Sequence, residues 1–139
     1  MDSDASSYWA SLCEIRSRLK CWVRLAWTPD GRPTEVSRWG MLLGIPVPGY
    51  LEGPAGPVRM GEVEWVELST SRLKGCMVDG KSQVAGTRDI REALVSELTA
   101  TGLVWERHDA TWSMAGKFDD LPVQTIRVSA PNRPRPVAP

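Results

Sequence analysis

The sequence predicts an α+β fold, a mostly antiparallel sheet of about five to seven short strands joined by hairpins and packed by two helices. Three observations carry this. Two stretches repeat their apolar residues at helical spacing, the stretches between and after them alternate with a period of two, and the turns joining the alternating stretches are of hairpin length.

Residues 4–19 read as the first helix. Tyr8, Leu12, Ile15 and Leu19 form the apolar stripe, Trp9 and Cys13 widen it, Ser3 or Asp4 caps it, and Arg16, Arg18 and Lys20 close it where the helix dipole favours cations. The period then changes to two, with Cys21, Val23, Leu25 and Trp27 on one face and Trp22, Arg24 and Ala26 on the other. Thr28-Pro29-Asp30-Gly31-Arg32-Pro33 carries a Pro-Asp-Gly turn, so this strand is expected to double back into a second over Glu35–Ile45.

Residues 46–61 hold Pro46, Pro48, Pro54 and Pro57 with Gly49, Gly53, Gly56 and Gly61, and read as a long surface loop with Tyr50 and Leu51 near its middle. Glu62–Leu68 alternates again, and either face fits the core. Cys76–Val78 and Lys81–Val84 read as two short arms around an Asp79-Gly80 turn. The second helix spans 88–101, with Thr87 as cap, Ile90, Leu94, Val95 and Leu98 facing inward, and a Gly102-Leu103 stop. Val104–Ala115 reads as a hairpin turning at His108-Asp109-Ala110, and Val123–Val128 as the last strand. Residues 1–130 thus form one domain and 131–139 a flexible Pro/Arg-rich tail, whose Pro131-x-x-Pro134 and Pro136-x-x-Pro139 spacings suit a proline-reading domain.

Composition limits the function. With 139 residues, 42% of them hydrophobic, the chain has the means for a packed core. Seventeen Lys and Arg balance seventeen Asp and Glu, so the molecule has no net field to gather polyanions or acidic membranes. Three cysteines, Cys13, Cys21 and Cys76, lack the paired spacing of a disulfide framework and read as reduced thiols. The start is acidic, and the longest uncharged run, Trp39–Leu51, has 13 residues where a membrane helix needs about 20. The expectation is a cytoplasmic protein with no membrane segment.

Several constellations imitate catalytic or metal sites. Gly75-Cys76-Met77-Val78-Asp79-Gly80-Lys81-Ser82 fits the P-loop pattern, but a P-loop follows a buried apolar strand and starts a helix at the Lys-Ser pair. Here Ser69–Lys74 is polar and Gly86 interrupts any such helix. Asp79 and Lys81 with Glu62 or Glu64 resemble a loose nuclease spacing, which solvated carboxylates at turns also produce. A cysteine nucleophile would need His108, the single histidine, which falls in a predicted turn. Cys13 and Cys21 lie eight apart, unlike paired zinc ligands. The reading is therefore of a non-enzymatic protein with no catalytic residues, no cofactor and no metal.

What remains is aromatic and cationic. Seven of the ten aromatic residues are Trp, and core packing accounts for about four of them. Trp22, Arg24, Trp27, Arg32, Arg38 and Trp39 mix on the first hairpin, with Trp27 on its core face. Such residues dominate protein hot spots, and a neutral surface suits a protein partner. The expected binding residues are Trp22, Arg24, Arg32, Arg38, Trp39 and, from the loop, Tyr50. The expected role is that of an adaptor, inhibitor or assembly subunit, with a second copy of the chain also fitting as partner. The alternative is single-stranded nucleic acid on the Trp22–Trp39 hairpin, where rings would stack bases and guanidiniums would hold phosphates. Phosphate or nucleotide binding at Gly75–Ser82 comes third.

Overall fold

The computed structural model describes the backbone of residues 2–78, 81–112 and 121–131, and the side chains of 6–71, 89–108 and 124–131. Its body is a five-stranded antiparallel sheet with two helices, the predicted α+β class. The sheet runs in the order β2 (Glu35–Val36), β1 (Val23–Trp27), β5 (Val63–Ser69), β9 (Leu121–Ser129), β8 (Trp105–Trp112). Val23, Leu25, Val66, Leu68, Ile126 and Val128 share its apolar face and are buried.

Helix α1 (Asp2–Leu19) lays Trp9, Leu12 and Ile15, three residues apart, into the same core. The Tyr8 hydroxyl ties it to the sheet, donating to the Ser129 carbonyl at 2.6 Å and accepting the Val104 N–H at 3.1 Å. Helix α2 (Arg91–Ala100) adds Leu94 and Leu98 and is joined to α1 by the Arg18–Glu97 ion pair. Its end is as expected: Gly102 has φ 74°, and the Leu103 N–H closes on the Leu98 carbonyl at 3.1 Å. Its start is not. Thr87 lies inside a strand, and Asp89 does the capping, its Oδ1 accepting the Arg91 N–H at 2.9 Å.

The first hairpin forms, with the Arg32 N–H closing its turn on the Pro29 carbonyl at 3.0 Å and Gly31 at φ 71°. The second strand, however, is two residues long instead of reaching Ile45. At Ser37 the N–H still bonds the Leu25 carbonyl at 2.8 Å, but the Leu25 N–H is taken at 3.0 Å by the Ser37 hydroxyl, a side-chain bond in place of the return half of the next ladder rung. The chain then bulges over Arg38 and Trp39 before Gly40 pairs with Val23.

The expected loop at 46–61 is instead largely a second hairpin, β3 (Tyr50–Gly53) with β4 (Gly56–Arg59), which buries Leu51, Val58 and Met60. Its prolines are placed where they do no harm. Pro54 follows Gly53 in the turn, and Pro57 faces Glu52, whose N–H and carbonyl both bond outward to Gly44 at 2.7 and 3.0 Å, so the rung Pro57 cannot donate to is absent.

The open choice of face in β5 is settled by a bulge. Ala26 pairs with Trp65 and Trp27 with Val63, so Val63 and Val66 both reach the core despite their opposite parity. Residues 71–89 form one long hairpin, β6 (Ser71–Val78) with β7 (Lys81–Asp89), rather than two short arms. Val78 opposite Lys81 gives the predicted two-residue connection, although Asp79 and Gly80 themselves, like the tail from residue 132, lie outside the described residues. The hairpin expected within Val104–Ala115 is a single strand, β8, paired with β9 from Trp105 opposite Val128 to Trp112 opposite Leu121. His108 is therefore a strand residue and not a turn residue. Among the described residues no helix is long and apolar enough to cross a membrane.

Candidate functional site

On the sheet face away from the apolar core, antiparallel register lines up side chains of alternating charge. Arg24 on β1 pairs with Glu67 on β5, Glu67 with Arg127 on β9, and Arg127 with Glu106 on β8. Glu67 is fully buried, with Arg24 Nε at 2.6 Å and Arg127 Nε at an ion-pair distance of 3.5 Å from its Oε1. The Thr125 hydroxyl donates to its other oxygen. A buried carboxylate held this way is neutralised and hydrogen-bonded on both oxygens.

The guanidiniums are also stacked. Arg127 lies 3.9 Å above the Trp65 ring, and Arg24 lies 4.9 Å from the Trp39 ring and 5.8 Å from that of Trp65. Each such contact contributes roughly 0.5–2 kcal/mol depending on desolvation. The result is a continuous stack, Trp39, Arg24, Trp65 and Arg127, around Glu67.

The structure thus joins two of the residues singled out from the sequence, Arg24 and Trp39, in an internal cluster. Trp39 is buried. Trp22 is half-buried at the head of the same face, beside Ser69, whose hydroxyl accepts the Trp22 N–H at 3.1 Å. Arg32 and Arg38 are exposed, in the first turn and in the bulge respectively. Tyr50 is half-buried on β3 and hydrogen-bonds Arg59 opposite it, which raises the Arg59 pKa. Sequence reasoning missed Trp65, Glu67, Thr125 and Arg127. Their proximity to Arg24 depends on strand order, and local spacing carries no signal of it.

The Trp39–Arg24 stack fastens one end of an unusual segment. The large hydrophobic side chains that are exposed among the described residues are Val36, Met41, Leu42 and Val47, at 50, 40, 49 and 53%. All fall between residues 36 and 47, yet the backbone beneath them is held. Ser37 donates to the Leu25 carbonyl at 2.8 Å, Gly40 exchanges two bonds with Val23 at 2.8 and 2.9 Å, and Gly44 exchanges two with Glu52. Trp39 and Leu43 point inward, and Ile45 packs against the core. The signal was present in the sequence as the uncharged run from Trp39, which is too short to span a membrane and too apolar for an ordinary loop.

The other chemistries weighed in the sequence find little geometry. Lys81 and Ser82 lie in strand β7, so the helix start that a P-loop requires is replaced by a hairpin. Burial pushes the Cys13 thiol up to about 11 and that of Cys21 to about 12, which suppresses thiolate. His108 sits on the far edge strand from both, with Nε2 3.0 Å from Glu106. Among the described residues no three His, Cys, Asp or Glu side chains gather as metal ligands would. Comparison with protein-family models, with curated proteins and with solved structures finds no match.

Proposed function

We propose that the chain is a non-enzymatic binding protein that docks a protein partner through the segment 36–47. The observation that carries this is an ordered backbone with outward apolar side chains: Val36, Met41, Leu42 and Val47 are exposed on a segment pinned at Ser37, Gly40 and Gly44. Apolar clusters left in water mark interaction surfaces. Because the segment is already held, little ordering entropy is lost on binding. Covering each half-exposed side chain contributes roughly 1 kcal/mol. Arg32, Glu35 and Arg38, all exposed, supply a polar rim of the kind that surrounds an apolar centre. An adaptor, an inhibitor or an assembly subunit would use such a surface.

The single-stranded nucleic acid reading draws less support. Of the hairpin's three arginines, Arg32 and Arg38 are exposed, but Arg24 is already occupied by Glu67 and by indole rings, and Trp39, which would stack a base, is buried beneath it.

A photo-crosslinking side chain at position 42, introduced in cells that make the protein, tests the proposal. The expected result is a discrete protein adduct that is absent with the probe at the exposed α1 position Glu14 and lost on adding Val47→Asp. Adducts of equal yield from both positions, or nucleic acid as the captured species, would overturn it.

A further inference from the structure

The segment 36–47 carries one side chain with a reactivity of its own. Of the two methionines whose side chains are described, Met60 is buried and Met41 is 40% exposed. The Met41 Sδ lies 3.8 Å from Arg16 Nη1, and the same nitrogen donates to the Cys21 carbonyl at 3.1 Å. We infer that Met41 is a modification site, oxidised to the sulfoxide by hydroperoxides, and that Arg16 then holds the new oxygen and leaves the docking surface closed. The last step rests on the function proposed above; the oxidation and the Arg16 contact do not.

A thioether is oxidised where its sulfur meets water. The sulfur lone pair attacks the terminal oxygen of the hydroperoxide, and the S–O bond forms as the O–O bond breaks. The proton on the transferred oxygen passes to the departing oxygen, which leaves as water or as an alcohol. Sulfur gives up two electrons and the peroxide takes them. Met60 is shielded from this attack by the core and, at its sulfur, by the Ser6 hydroxyl at 3.7 Å.

Arg16 is suited to the product more than to the thioether. Its place in α1 and its bond to the Cys21 carbonyl fix the guanidinium beside Met41. A thioether sulfur is a weak acceptor. A sulfoxide oxygen carries partial negative charge and extends from the sulfur, so rotation about the Cγ–Sδ bond brings it to the cation as a charge-assisted hydrogen bond. Oxidation of a methionine ordinarily disrupts what surrounds it. Here it strengthens the tie between α1 and the segment while setting a polar group among Val36, Leu42 and Val47. Docking is lost and the fold is kept.

The test treats the full chain with hydrogen peroxide and follows each methionine by peptide mass spectrometry. Met41 should gain one oxygen several-fold faster than Met60. The chain oxidised at Met41 should unfold at the same urea midpoint as before or a higher one, and in Arg16→Gln the same oxidation should lower the midpoint. Met41→Leu, treated alike, subtracts the effect of oxidation elsewhere, and each variant is compared with its own unoxidised form. The Arg16 side-chain N–H resonance of the parent chain should shift on oxidation, which reads the contact without a variant. In cells, peroxide before irradiation should remove most of the adduct formed from position 42 and spare it in Met41→Leu. No adduct even before peroxide overturns the docking reading alone, and the oxidation measurements still decide the site. Equal oxidation of Met41 and Met60, a midpoint that falls as far in the parent as in Arg16→Gln, an unmoved Arg16 resonance, or an adduct that survives oxidation of Met41 would each overturn the inference.

Discussion

A carboxylate with no solvent exposure, set between two arginines that are themselves three-quarters covered, makes Glu67 the residue most sensitive to substitution on its face of the sheet. Glu67→Gln keeps the shape and the Thr125 contact but strands two cations. Removing one member of such a buried set costs about 3–5 kcal/mol, and because both arginines keep some water contact the expected loss is about 3 kcal/mol, read by urea unfolding. A loss below about 1 kcal/mol would place the cluster among ordinary surface pairs. The thiols make a second prediction. Cys21 is raised from 9.0 to about 12 by burial, so the folded chain keeps a proton that the unfolded chain releases. Its contribution is whole below pH 9 and is lost as pH rises toward 12. Stability should therefore fall less steeply between pH 9 and 11 in Cys21→Ala than in the parent chain. Local alternation placed Arg24 and Ala26 opposite Val23 and Leu25 correctly. It could not supply Glu67 or Arg127, because a cross-strand partner is chosen by strand order and register, which the spacing within one strand does not encode.

Among the elements, the β3–β4 hairpin is where sequence patterning misled most. Proline and glycine density argued for a loop, yet each proline sits in a turn or at a rung that needs no donor. Gly53 shows why glycine is required, since a Cβ there would run into Leu25 Cδ2 in the core. Gly53→Ala should cost about 1–3 kcal/mol by overpacking, and a second change, Leu25→Val, should return part of it because the two sites share one volume. Additive losses would mean that the hairpin does not press on β1. Helix α2 was legible at its C-terminal end because Gly102 and Leu103 form a local motif. It was misread at its start because β7 runs on to Asp89 and overrides the capping preference of Thr87. The single strand β8 was hidden for the same kind of reason: His108-Asp109-Ala110 has turn chemistry, but pairing with β9 keeps it extended.

At the scale of the molecule, the α+β class and the two-helix, antiparallel plan were readable from periodicity, and the surfaces that matter were not. The sequence pointed to tryptophan and arginine as binding groups. The fold uses Trp39 and Arg24 inwardly, to anchor the stretch that carries Met41 and Leu42 outward. That stretch lies at the β2 edge of the sheet, the edge opposite β8. The claim on which the functional proposal depends is that residues 36–47 are fixed in place while their apolar side chains remain in water. Amide hydrogen exchange of the isolated protein, resolved by residue, measures this directly. The amides of Ser37, Gly40 and Gly44, bonded at 2.8, 2.9 and 3.0 Å to Leu25, Val23 and Glu52, should be protected, and those of Met41 and Leu42 should exchange freely. If Gly40 and Gly44 instead exchange at the rate of an unstructured chain, the segment is a loose loop and the preformed docking surface does not exist.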